Sequence, residues 1–242
     1  MTRPRGRAPL LRALAPVPGT PSQASILREL RRVILDGGAP PGSPIPLDEV
    51  AEQFRVSAIP VREALRTLIG EGLVDQRPRQ GYQVARLTRA EFVELYLVRA
   101  ALEAAALRGS VAAATPADDA AAADSQRSQR EAVAAGDATT YHRESRAFHL
   151  ALLRPCRMHR LLHMFESAWN VTEPAQLMTQ VPVGHLDRLL HDHDAMLAAF
   201  SARDVEALLA ASALHHDHLR DAVLALPDDA GAFAVPPPTP LR

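Results

Sequence analysis

From residue 88 to residue 226 the apolar side chains recur at three- and four-residue spacing and nowhere alternate, so this stretch can bury its apolar surface only as packed helices. Breaks in the register predict helices over 88–108, 116–136, 137–154, 158–169, 184–202 and 204–226. Thr88 with Glu91 three residues on forms a capping box, Pro116 suits a first turn, Gly136 a stop, and Asp137 and Asp204 are caps. Connections of ordinary length make neighbouring helices antiparallel. Aromatic residues are only 4% of the chain, so the core must be aliphatic. Beyond 226 the chain is Pro-rich, and Pro236-Pro237-Pro238 extends no helix.

The front of the chain is punctuated differently. Ile26, Leu27, Leu30, Val33 and Ile34 lie on one helical face that Gly37-Gly38 stops; residues 40–44 read as a turn. Leu47, Val50, Ala51 and Phe54 mark a second short helix. A third follows, capped by Ser57, with Pro60 in its first turn and Val61, Ala64, Leu65, Leu68 and Ile69 on its apolar face. After Gly72, two short strands at 73–76 and 82–85 enclose a basic tip at 77–81. Two short helices and a hairpin in this order describe a winged helix-turn-helix. With Val61, Leu65 and Leu68 inward, Arg62 and Arg66 project outward one turn apart, and Arg77 and Arg79 stand on the hairpin. Guanidinium groups so placed suit guanine edges and phosphates. The competing reading is that Arg62 pairs with Glu63 and only solvates the helix. Charge favours the first: residues 1–87 hold 13 arginines against 8 acids, net +5, and the rest 14 against 20, net −6. Arg3, Arg5, Arg7 and Arg12 lie among prolines and glycines, so residues 1–20 read as a flexible basic arm.

The fold class is therefore mainly α, an N-terminal winged helix-turn-helix (21–87) joined to a C-terminal antiparallel all-α bundle (88–226), with a Pro-rich tail at 227–242. No apolar run reaches membrane-spanning length and no signal peptide opens the chain, so a cytoplasmic protein is expected. The single cysteine, Cys156, excludes an intrachain disulfide and a cysteine zinc cluster. No His-Glu-x-x-His, Gly-x-Ser-x-Gly or phosphate-cradling glycine loop occurs, so no catalytic set is assigned. All 10 histidines fall between His142 and His218.

Val56-Ser57-Ala58-Ile59-Pro60-Val61-Arg62-Glu63-Ala64-Leu65, then Glu71-Gly72-Leu73-Val74 and Gln80-Gly81-Tyr82-Gln83-Val84, resemble the GntR family of bacterial transcription regulators. An arginine usually follows the serine of this motif, and Ala58 stands there instead. Leu95-Tyr96-Leu97-Val98-Arg99 with Leu102-Glu103, Phe148-His149, Asp192-His193, Ala199-Phe200, Arg203-Asp204 and His215 resemble the FCD ligand-binding domain of the FadR subfamily. The resemblance implies a homodimeric repressor on double-stranded operator DNA, relieved by a small carboxylate effector. Its DNA contacts would be Ser57, Ile59, Arg62, Arg66, Arg77, Arg79, Gln80 and Gly81.

Many FCD domains hold one divalent metal, of zinc or nickel type, through three histidines and an aspartate. Those histidines map to His149, His193 and His215, and the aspartate position is Ser145. Glu144 lies about 100° round the helix and His142 two turns away on nearly the same face. Arg99 is expected either to meet an acidic effector or to pair with Glu103. Trp169 and Met164 read as core; His159, His163, His185, His191, His216 and His218 read as surface or satisfied core residues. Two alternatives stay open: a metal-free pocket for a larger apolar or acyl effector, and a metal-dependent hydrolase, against which no general base stands beside the histidines.

Overall fold

The computed structural model describes residues 7–227 and 233–234, which fall into two compact units. The first gathers residues 7–88, 170–175 and 233–234; the second gathers 89–169 and 176–227.

In the first unit α1 (Pro9–Ala13), α2 (Gln23–Leu35), β1 (Pro44–Ile45), α3 (Leu47–Phe54), α4 (Ala58–Gly70), β2 (Val74–Arg77) and β3 (Gly81–Val84) follow one another. Ser22 and Ser25 close a capping box at the start of α2. Ile26, Leu30 and Ile34 of α2, Val50 and Phe54 of α3, and Val61, Leu65 and Leu68 of α4 fill one core. Each such side chain contributes roughly 1.5–3 kcal/mol by burial, enough to set the orientation of α4. Arg31 fixes its far end, donating from Nε and Nη2 to Glu71 at 2.9 and 2.5 Å. Ser57 occupies the N-cap position of α4, but its hydroxyl makes no cap bond.

The sheet has the order β1-β3-β2, with Ile45 opposite Tyr82 and Arg77 opposite Gly81. Sequence reading predicts only the last two strands; a two-residue strand carries no periodicity and was hidden in the turn at 40–44. At the wing tip Arg79 and Gly81 both have positive φ, 63° and 83°.

The expectation of a flexible arm over 1–20 is corrected for part of that span. Leu10 and Leu11 are fully buried and Leu14 nearly so. Gln53 donates to the Leu11 carbonyl at 3.0 Å, and Glu29 accepts from the Ala15 amide at 2.7 Å. Three leucines outweigh the surrounding prolines and arginines because they reach a core that only α2 and α3 create. Arg3 and Arg5 lie outside the described residues. Within the Pro-rich tail expected over 227–242, Phe233 is buried and the Ala234 amide donates to the Leu87 carbonyl at 2.7 Å.

The second unit consists of α5 (Arg89–Ala113), α6 (Pro116–Ala135), α7 (Ala138–Leu153), α8 (His159–Thr172, whose last three residues group with the first unit), α9 (Val183–Ser201) and α10 (Val205–Leu224). Their termini obey the predicted chemistry. Asp137 and Asp204 accept from the amides of Thr140 and Ala207 at 3.0 Å each, and Gly136 ends α6 with φ 67°. α6 packs on α7 and α9, and α10 on α5 and α9. Leu107, Phe148, Leu152, Phe165, Trp169, Met196 and Phe200 share the core. Met164 is not among them: it is 58% exposed, because the inward face of α8 runs through Phe165 and Trp169. No described helix is long and apolar enough to cross a membrane.

Candidate functional site

Two places in the molecule carry chemistry, one in each unit. On the first, α4 presents Arg62, Arg66 and Thr67 to solvent together with its N-cap Ser57, and Ile59 is 66% exposed. Glu63, the expected partner of Arg62, instead accepts from Arg66 Nη1 at 2.8 Å. Among the described residues Arg62 has no ion-pair partner. With its hydroxyl unused, Ser57 stands beside the open N–H groups of the first turn, which suit a phosphate oxygen. Arg77, Arg79, Gln80 and Gly81 form the exposed wing tip.

The second place is buried. His149 on α7, His193 on α9 and His215 on α10 are all but inaccessible, and each offers a ligand atom within 4.8 Å of the others. Their ring centroids are 5.1, 5.1 and 4.5 Å apart. In two rings Nδ1 hydrogen-bonds a side-chain oxygen, Glu103 Oε1 at 3.1 Å from His149 and Gln129 Oε1 at 2.9 Å from His193, whereas His215 Nδ1 lies 3.6 Å from Asp192 Oδ2 and has no hydrogen-bond partner among the described residues. A hydrogen on Nδ1 leaves Nε2 with its lone pair. His193 Nε2 is buried with no hydrogen-bond partner among the described residues.

Burial depresses all three histidines below their ordinary value. For His149 the Glu103 carboxylate opposes burial without overcoming it. For His193 the neighbouring His215 and His149 add to burial and take it well below. Burial brings His215 down to about 4 against the pull of Asp192. Burial would raise the Glu103 carboxyl, but His149 and His216 at its oxygens outweigh that and hold it well below the usual carboxylate range. The cluster is thus three neutral imidazoles, two of them backed by hydrogen-bond acceptors, the donor set that a zinc- or nickel-type ion requires. Those residues fit such an ion.

Ser145, half-buried one turn before His149, brings a hydroxyl where the family pattern brings a carboxylate. Glu144 accepts from Arg143 Nε at 3.0 Å, and neither it nor His142 joins the cluster. Arg99 does not pair with Glu103, whose oxygens go to His149, to Ser212 Oγ at 3.2 Å and to His216 Nε2 at 3.2 Å. It is buried with its guanidinium carbon 3.4 Å from the Trp169 ring centroid. Sequence reading missed Gln126, Gln129, Asp192 as a backing group, and the role of Glu103. One signal was present: Gln126 and Gln129 stand in the register of the buried Ala122 and Ala132, on the inner face of an alanine-rich helix.

Comparison with known proteins adds the following. The family model described as bacterial regulatory proteins, gntR family, matches residues 22–84, and the FCD domain model matches residues 94–219. The chain is 26% identical over 206 residues to the HTH-type transcriptional repressor RspR of Escherichia coli (strain K12), spanning 85% of this chain and 90% of that protein. It is 29% identical over 202 residues to the HTH-type transcriptional repressor GlaR of the same strain, spanning 79% and 90%. Among solved structures, E. coli McbR/YncC is similar in fold, with a TM-score of 0.73 at 24% identity over 84% of this chain and 96% of that one.

Proposed function

Because the chain belongs to the gntR family of bacterial regulatory proteins and carries an FCD domain, we propose that it is a homodimeric repressor whose operator affinity a small carboxylate controls. Membership itself makes it a DNA-binding transcriptional regulator rather than an enzyme. Residues 21–87 read double-stranded operator DNA in the cytoplasm, and residues 88–226 bind effector and pair the protomers. Arg62 and Arg66 enter the major groove, Ile59 offers an apolar contact to a thymine methyl, Ser57 meets a phosphate, and Arg77, Arg79, Gln80 and Gly81 track the neighbouring backbone. Two copies would set half-sites one helical turn or a multiple apart.

In the bundle His149, His193 and His215 would hold a divalent ion, which when bound supplies an open position for an anionic oxygen. Glu103 and Gln129 orient the rings of His149 and His193. Arg99, close enough to His149 to disfavour its protonation, adds positive field for the same anion. The observation that carries this reading is the buried, unpartnered Nε2 of His193 facing two further neutral imidazoles. Ser145 favours the second reading, a metal-free pocket taking a larger apolar or acyl effector.

Elemental analysis of the purified protein, followed by thermal shift against short carboxylic acids with and without chelator, separates the two. About one equivalent of zinc or nickel, and an acid that raises Tm only without chelator, is the expected result. A Tm rise that chelator leaves intact supports the metal-free pocket, and no metal uptake by wild type would sink the metal.

A further inference from the structure

Behind His193 runs a chain of buried amides that the metal reading does not require. Gln126 and Gln129 on α6 are both buried, Gln129 as completely as the histidine itself. Gln126 Nε2 donates to Asp194 Oδ1 at 2.9 Å and to the Leu190 carbonyl at 2.9 Å. Both partners can only accept, so the amino end of Gln126 must lie there. Its oxygen is left for Gln129, whose Nε2 donates to it at 3.3 Å and to the Ser125 carbonyl at 3.4 Å. The oxygen of Gln129 is left in turn for His193 Nδ1, at 2.9 Å. An amide oxygen cannot donate. The hydrogen therefore sits on Nδ1, and Nε2 keeps its lone pair. The ring has little freedom to turn, because it stacks on Phe148 with centroids 4.5 Å apart and planes 29° apart.

We infer that Gln126 and Gln129 are positioning residues: a one-way hydrogen-bond relay that begins at Asp194 and the Leu190 carbonyl and fixes the tautomer of His193 before any ion arrives. Each step admits only one orientation, so the Leu190 carbonyl and the Asp194 carboxylate, itself paired with Arg130, together determine which nitrogen of a fully buried ring is available. The inference rests on the metal reading for its consequence, but the tautomer is a property of the metal-free chain.

The test uses full-length, metal-free protein and its Gln129→Met and Gln129→Glu variants. The 15N resonances of His193 report the tautomer, and competition with a chromophoric chelator reports zinc affinity. Wild type should show the Nδ1–H form. Gln129→Met, without an acceptor, should mix the tautomers and lose roughly ten- to hundredfold in zinc affinity. Gln129→Glu keeps an acceptor and should restore both. If Gln129→Met fails to fold, Gln126→Met, one link further back, carries the same prediction with a smaller loss. Wild-type tautomer and zinc affinity in folded Gln129→Met would overturn the relay. A tautomer that changes with Gln129 in a protein that binds no zinc would leave the relay standing and remove the metal reading.

Discussion

Arg62 and Arg66 stand one turn apart on the same exposed stretch of α4, yet only Arg66 is held, by Glu63 at 2.8 Å. On the proposed reading the uncommitted guanidinium would be the better base reader, since it would break no ion pair on entering the groove. Arg62→Ala should weaken operator binding by about 1–3 kcal/mol and relax preference at one base pair, as read by mobility-shift titration on matched and substituted sites. An unchanged affinity would mean that another face meets DNA. Glu103 is the corresponding residue of the bundle. Its carboxylate accepts from three groups at full burial, so Glu103→Ala strands donors that cost about 1–3 kcal/mol each. The urea midpoint of metal-free protein should fall accordingly, and Glu103→Gln, which keeps an acceptor, should fall less. The outward position of Arg62 was legible in the spacing of α4, but the role of Glu103 was not: i,i+4 spacing on α5 suggests Arg99 as its partner, whereas the histidines that win it come from α7 and α10.

Elements were far more legible than contacts. Caps and stops chosen by Asp137, Asp204 and Gly136 depend on residues within a turn of one another, and the structure uses each as the sequence implies. α1 was not legible. Its five residues are too short for a period, and its composition is that of a linker. What makes it an element is the burial of Leu10, Leu11 and Leu14, and Leu10→Ala should therefore cost about 2–5 kcal/mol in urea unfolding. A free arm would give no measurable change. β1 escaped for the same reason, since its pairing with β3 brings together residues some forty apart in sequence.

At the scale of the whole molecule the buried histidines couple stability to pH. His149, His193 and His215 are all depressed, so between the ordinary value of 6.5 and the folded value of about 4 for His215 the unfolded chain takes up protons that the folded chain refuses. Stability contributed above about 6.5 is thus lost as pH falls toward 4, on the order of 3 kcal/mol from His215 alone. Melting metal-free protein across that range should show Tm falling with pH; a flat profile would mean that the rings are solvated. Sequence alone determined most of the residues that turn inward along the longer helices, where those helices start and stop, and that the front is basic, because these follow from neighbours a few positions apart. Tertiary structure alone decided that His149 meets Glu103 across 46 residues and His193 meets Gln129 across 64. Periodicity fixes the face a side chain occupies on its own helix, but the distance between two faces is set by how the helices pack.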